Sequence, residues 1–350
     1  MKIVVTGATG NVGTSVLAAL AADDRVEAIS GIARRIPAGP APAKTTWVGA
    51  DVTTDSLAPH FEGAAAVIHL AWAIQPSRDR ERTRRINVEG SRRVFAATAE
   101  AGVPALVHAS SVGAYSPAGA RTDPVDETWP TGGVSTSFYS VDKSECERIL
   151  DEFETANPGL RVVRLRPALI FKRGAGSEIR RLFAGPLLPK RLLKPGRLPV
   201  FPWIRDLHIQ AVHSLDVGEA YRLAALGNAD GAFNLAATPI LDGPTIAGLV
   251  GARLVELPYP LVRLGADLSW LLRLQPTPAG WVDMARSVPM LSSIRAREVL
   301  GWEPRLDSRQ TFLSLLEGIA DGAGEPTPPL TAADSLRGRI EELVRGTPRT

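Results

Sequence analysis

Residues 2–13 read KIVVTGATGNVG, and this stretch decides the fold. Ile3, Val4 and Val5 form a continuous apolar run, the pattern of a strand buried on both faces. The run passes directly into glycines at positions 7, 10 and 13, after which VGTSVLAALAA (12–22) continues with helical composition. Glycines between a strand and a helix permit a tight turn and close backbone approach to a pyrophosphate. The helix N-terminus adds unpaired N–H groups and a favourable dipole. The spacing is G-x-x-G-x-x-G, one residue longer than that of the best-known dinucleotide fold, so the strand-then-helix context carries the weight. A merely structural turn is the alternative.

Outward from this stretch the first half repeats the same alternation. VEAISGIA (26–33), TTWVGAD (45–51), AAVIHLA (65–71), ALVHAS (105–110) and LRVVRLRPALI (160–170) have strand character, separated by helical patterns. Such alternation predicts an α/β fold: a doubly wound, Rossmann-like parallel sheet with right-handed crossovers. Residues 1–170 are the expected NAD(P)-binding domain, and 171–330 a smaller, irregular substrate-binding region. Within the latter, LDVGEAYRLAALGN (215–228) and GAFNLA (231–236) predict a helix and strand returning to the sheet over about 206–236. EPTPPLTAADS (325–335) has the composition of a linker, and residues 331–350 are expected to hold a last short helix, LRGRIEELVR (336–345), and a tail.

Composition narrows the function. With 350 residues, 45% hydrophobic and 22% charged, the chain is ordinary globular material. A net charge of +3 is too small to argue for nucleic acid. The single cysteine, Cys146, excludes an internal disulfide and fits a reducing compartment. The histidines at 60, 69, 108, 208 and 213 lack metal-site spacing with carboxylates, so no metal is expected. The first apolar run is too short for a signal peptide, and YPLVRLGADLSWLLRL (259–274) is broken by Arg263 and Asp267. The expectation is a soluble cytoplasmic protein that binds neither membrane nor nucleic acid.

An acidic residue about 20 positions beyond the glycines would hold the ribose hydroxyl of NAD. In SGIARRI (30–36) that place is taken by Arg34 and Arg35, two guanidiniums suited to gripping a 2′-phosphate. NADP(H) is therefore the preferred cofactor, with NAD(H) the other choice; solvated loop arginines are the plainer reading. Asp51 is placed to accept from the adenine amino group, or to cap the helix that follows.

In SFYSVDKSECE (137–147), Tyr139 and Lys143 project from one face of a helix, one turn apart. A phenol of pKa about 10 exchanges protons poorly near neutrality, and a neighbouring ammonium favours its ionised form. A lysine stem covering an aromatic ring is the ordinary alternative.

Four separated motifs, TGATGNVG (6–13), HASSVGAY (108–115), the Tyr139/Lys143 pair and RLRPALI (164–170), together resemble the short-chain dehydrogenase/reductase superfamily. The match is to its extended branch, the NAD-dependent epimerase/dehydratase-like proteins. The resemblance covers roughly 1–235 and returns at AREVLGWEP (296–304). It implies that Gly7, Thr9, Gly10, Asn11, Val12 and Gly13 hold the cofactor together with Asp51 and Val52. Leu70, Ala71 and Trp72 of HLAW would line it, Asn87 would stand near it on the central helix unless it is an exposed polar, and Pro167 would flank the nicotinamide end. Ser111, four residues before Tyr115, is the implied catalytic hydroxyl, with Ser110 the rival if the register slips. Tyr139 would exchange the substrate proton, while Lys143 would lower the pKa of that tyrosine and hold the nicotinamide ribose. Asp216, in H-x-x-D-V, is read as mostly structural. The family often pairs through helices including the one bearing Tyr139, which implies a homodimer.

In the sugar-nucleotide dehydratases of the branch an Asp–Glu pair follows the catalytic hydroxyl. Val112 and Gly113 stand there instead, which disfavours dehydration. Three readings remain: a reductase acting on a small carbonyl compound or secondary alcohol, a nucleotide-sugar epimerase with no net cofactor turnover, and a non-catalytic NADP(H)-sensing regulator. The arginines tilt the choice toward the reductase. The basic stretch from Arg180 to Arg205 would grip a substrate phosphate or form a solvated face. Phe171, Phe201 and Trp203 are assigned to core.

Overall fold

The computed structural model describes residues 1–75, 77–119, 123–184 and 196–332. The helix expected at 336–345 and the residues 185–195 of the basic stretch lie outside the described residues. The central sheet contains β1 (Lys2–Thr6), β2 (Ala28–Ala33), β3 (Thr45–Gly49), β4 (Ala66–His69), β5 (Ala105–Ala109), β6 (Arg161–Pro167) and a seventh strand, Gly231–Leu235. Its order is seventh strand, β6, β5, β4, β1, β2, β3, and all neighbours run parallel. The chain winds outward from β1 to β3, then returns to β4 on the other side. The order reverses between β1 and β4, where open α/β sheets leave a crevice at the strand ends.

Alternation along β1 explains why both faces are covered. Ile3 and Val5 face a core with Val16, Leu17, Leu20, Tyr221, Phe233 and Trp302. Val4 faces the opposite core, with Ile32, Val67, Phe95, Leu106 and Leu150. On the first face the helix Asn11–Ala21 lies against Ser214–Leu226 so closely that a Cβ on Gly218 would stand 2.6 Å from the Ser15 carbonyl oxygen. Asp216 fastens the late segment to this layer. Its carbonyl accepts from Trp302 Nε1 at 2.7 Å and its carboxylate from the Leu306 amide at 3.3 Å.

A smaller core gathers Leu241, Ile246, Val250, Phe312 and Leu316, with Phe171, Phe201 and Trp203 packed against it. One expectation is overturned here. Residues 325–332, read as linker from their proline and threonine content, fold back onto the glycine loop: Leu330 is fully buried and Thr327 Oγ1 donates to the Thr9 carbonyl at 2.8 Å. Proline fixes backbone without needing a ladder partner, so the same composition serves an ordered turn.

Candidate active site

The glycine loop is shaped by two close approaches. Gly7 has φ +70°, and a Cβ there would stand 2.6 Å from the Ala71 amide nitrogen. A Cβ on Gly13 would meet the Gly7 carbonyl oxygen at 2.4 Å. Only glycine lets the loop sit against the end of β4 and lets the helix begin immediately beneath it. Gly10 is the N-cap of Asn11–Ala21 and supplies no side-chain acceptor, and no acidic residue stands in the first turn. The helix therefore presents uncapped N–H groups to an anion. Asn11 Oδ1 is buried without a partner. These features fit the phosphates of a dinucleotide.

The cleft above the loop is lined by Gly7, Thr9, Gly10, Arg34, Arg35, Asp51, Val52, Leu70, Ala71 and Trp72. Of the remaining expected cofactor residues, Asn11, Val12, Gly13, Asn87 and Pro167 do not line it. Asn87 is fully buried, not an exposed helix polar. It lies in a π-helical turn, Arg85–Glu89, accepts from the Ala73 amide at 2.7 Å, and donates to the Ala73 carbonyl at 3.0 Å and to Asp142 at 3.2 Å. It pins the cleft wall to the helix of Tyr139 and does not face the cleft. Asp51 closes a turn, its Oδ1 accepting from the Thr53 amide at 2.8 Å and hydroxyl at 2.7 Å. The following helix, Ala58–Phe61, starts too late to be capped by it. His69 of HLAW binds Thr6 and Ser91 on its two ring nitrogens, at 2.7 and 2.9 Å, and burial pushes its pKa down to about 3.

Arg34 and Arg35 stand exposed at the end of β2 and make no ion pair among the described residues. Partial desolvation, and then the charge of Arg34, lowers the Arg35 pKa. Sequence reasoning missed Arg82, Glu178, Pro328 and Pro329, which line the cleft from three distant segments, together with Arg181 of the basic stretch. No local pattern marks them. Glu178 is pushed up to about 7 by burial, against the charges of Arg181 and Lys172.

At the other end of the site the Ser110/Ser111 ambiguity separates geometrically. Ser110 donates to Glu147 at 2.5 Å, inside a buried cluster with Arg164 and Arg166. Ser111 accepts from the Gly113 amide at 3.0 Å, and its hydroxyl stands on the Tyr139 side, where it favours the ionised phenol. Tyr139 and Lys143 both lie on the Phe138–Ala156 helix, whose N-cap Ser137 faces the Ser140 amide. A Cβ on Gly113 would stand 2.9 Å from Tyr139 Cε1, so the residue after the Ser111 turn must be small for the ring to lie there. Trp281 packs on the same ring with centroids 4.9 Å apart, and Trp72 meets it edge-on at 5.9 Å.

The expected electrostatic pairing of Tyr139 with Lys143 takes a different form. Lys143 Nζ lies 3.4 Å from the Trp72 ring centroid but 5.8 Å from that of Tyr139, and donates to the Ala109 carbonyl at 2.5 Å. The Tyr139 pKa is raised, not lowered: burial dominates, opposed by the nearby Ser111 hydroxyl. Burial pushes Lys143 down to about 8, against the charges of Glu147 and Asp142. The indole takes the place of the phenol beside the ammonium.

A model of the NAD dependent epimerase/dehydratase family matches residues 3–233. The chain belongs to that family. The resemblance to the epimerase/dehydratase branch read from its motifs holds. Among solved structures it is similar to UDP-glucose 4-epimerase of Thermotoga maritima with UDP-glucose, at 19% identity and TM-score 0.68 over 92% of this chain and 99% of that one. MoeE5 in complex with UDP-glucuronic acid and NAD gives 21% identity and TM-score 0.65 over 91% and 98%. A short-chain dehydrogenase/reductase superfamily protein of Agrobacterium tumefaciens with bound NAD gives 23% and 0.65 over 99% and 100%. These likenesses establish the Rossmann-like fold. The Mycobacterium tuberculosis protein Rv2047c is 26% identical over 313 residues, which are 89% of this chain; the chain spans 29% of that relative's length. Among the described residues no helix is long and apolar enough to cross a membrane, and no group of three or more His, Cys, Asp or Glu is placed to hold a metal ion.

Proposed function

We propose that this family member carries out NAD(P)-dependent hydride transfer at the carbonyl or secondary-alcohol carbon of a small molecule, with NADP(H) preferred and Ser111, Tyr139 and Lys143 as its acid–base group. The observation that carries the proposal is the placement of Tyr139 against the Ser111–Gly113 turn, where the Ser111 hydroxyl favours the ionised phenol, with Lys143 one helical turn away beneath the Trp72 wall of the cleft. A bound nicotinamide would supply or accept the hydride. Ser111, oriented by the Gly113 amide, would hydrogen-bond the substrate oxygen where charge develops. Tyr139, kept protonated by burial, would donate its proton to that oxygen in reduction and recover it in oxidation. The unpaired Arg34 and Arg35 at the far end of the cleft favour a ribose 2′-phosphate.

The test is NADPH oxidation against a panel of carbonyl compounds. Tyr139→Phe is expected to lose ~10²–10⁴-fold in rate while melting like the parent. Replacing Arg34 and Arg35 by alanine is expected to weaken NADP(H) at least ~10-fold and leave NAD(H) nearly unchanged; a parent that prefers NAD(H) would overturn the NADP assignment. No turnover on any substrate, with partner binding unaffected by Tyr139→Phe, would favour a cofactor-sensing regulator. A second reading, nucleotide-sugar epimerisation, is supported by the UDP-sugar complexes of the Thermotoga epimerase and MoeE5. It is recognised by inversion of a UDP-sugar stereocentre with no net change in nicotinamide absorbance. Pairing of two copies through the Phe138–Ala156 helix belongs to the same proposal and is read from molar mass by light scattering.

A further inference from the structure

The C-terminal segment bears on the cofactor cleft from outside every family motif. Residues 325–331 form a compact turn: the Glu325 amide donates to the Leu330 carbonyl and the Leu330 amide to the Thr327 carbonyl, each at 3.0 Å. Gly324 precedes the turn because a Cβ there would stand 2.4 Å from the Leu330 carbonyl oxygen. On one side Thr327 donates to the carbonyl of Thr9, in the glycine loop itself. On the other, Arg181 donates to the carbonyls of Pro329 at 2.5 Å and Thr331 at 2.7 Å. Lys172 ties the turn to the helix under the loop, pairing with Glu325 at 2.8 Å and donating to Thr14 Oγ1 at 2.6 Å. Thr9 and Arg181 both line the cleft and belong to different elements, so the turn bridges two of its walls. Pro328 and Pro329 complete the lining between them.

We infer that residues 325–331 are a strap that completes the dinucleotide site and limits how fast the cofactor leaves it. The inference rests on the cofactor cleft proposed above and adds Thr327, Pro328, Pro329 and Leu330 to it. The two prolines restrict the strap before it docks, which lowers the entropic cost of ordering it. Leu330, fully buried, is its anchor. Cofactor exchange then requires the strap to release Thr9 and Arg181, which gates turnover in a reductase and retains the nicotinamide in an epimerase.

The experiment is stopped-flow displacement of bound NADPH, followed by its fluorescence, in the full chain and in Thr327→Val and Leu330→Ala. Removing the single hydrogen bond in Thr327→Val is expected to raise the dissociation rate about 5-fold, and Leu330→Ala at least ~10-fold. Hydrogen exchange of the amides at 325–332 is expected to slow when NADPH saturates the parent, a readout that holds even where Leu330→Ala fails to fold. Unchanged dissociation in Thr327→Val together with exchange insensitive to NADPH overturns the strap while leaving the cofactor site standing. Absence of binding of both NADPH and NADH to the parent overturns the cofactor reading, and the strap with it.

Discussion

Lys143 Nζ and the Trp72 indole lie 3.4 Å apart, ammonium over ring face, and the same indole lines the cleft above the glycine loop. The contact replaces water around a buried cation by a polarisable π face. It does not compensate fully, because burial still brings the lysine down to about 8.

The pH profile should report this. Lys143 is charged below about pH 8 and loses its proton as pH rises through that value, while Tyr139, raised by burial, keeps its own. Reduction needs the phenolic proton and the neighbouring cation together. We therefore expect kcat/KM for reduction to fall above about pH 8, and Lys143→Arg to move that limb to higher pH. A profile flat to about pH 9.5 would sink the assignment. The sign for stability is opposite: with its folded pKa below the ordinary 10.5, the unfolded chain binds more protons between about 8 and 10.5, so this group's penalty fades as pH rises. The melting temperature of Lys143→Met minus that of the parent should accordingly shrink across that window.

Gly113→Ala tests the seating of the phenol. Its Cβ would fall 2.9 Å from Tyr139 Cε1 and 3.2 Å from Met284 Sδ, so the ring must give way. Displacement of a catalytic group by about an ångström costs on the order of 10²-fold, and we expect such a loss in kcat with little change in cofactor affinity. Unaltered kcat would mean that Tyr139 does not work from this position.

Glu147 tests the scaffold. It accepts from Ser110 and from two nitrogens of Arg166, at 2.8 and 2.9 Å, and from Arg164 at 3.1 Å. Burial alone would raise its pKa; Arg166, Arg164 and Ser110 together outweigh burial and hold it lowered. Glu147→Ala strands the buried Arg166 guanidinium without a carboxylate, while Arg164 keeps Asp151 and Glu154, and urea denaturation should show a loss of about 3 kcal/mol. The contribution is present above the ordinary glutamate range and disappears as pH falls through the lowered folded pKa. A loss under about 1 kcal/mol would show that the arginines find other partners.

The sheet and its glycine loop were legible because their signals are local. An apolar run such as Ile3–Val4–Val5 suits a strand buried on both faces, and Gly7 is required by a φ of +70° and by the Leu70–Ala71 backbone lying where any Cβ would stand. The candidate site was legible in part. Arg34 and Arg35 sit in the cleft as their distance from the glycines implied, and Ser111 meets Tyr139 across 28 positions of sequence. From sequence Asn87 reads either as standing near the cofactor or as an exposed helix polar; it is buried with its amide spanning Ala73 and Asp142, an arrangement that depends on two other elements being in place.

By itself the sequence determined the order of strands and helices, the phosphate loop and the identity of the acid–base candidates, since steric limits on backbone and the burial of apolar runs act within a few residues. Only the tertiary structure decided which serine faces the phenol, that Trp72 and not Tyr139 receives the Lys143 ammonium, and that residues 325–331 close over Thr9. Those outcomes depend on where segments separated by tens to hundreds of residues come to rest, and packing there is settled by the closed fold as a whole.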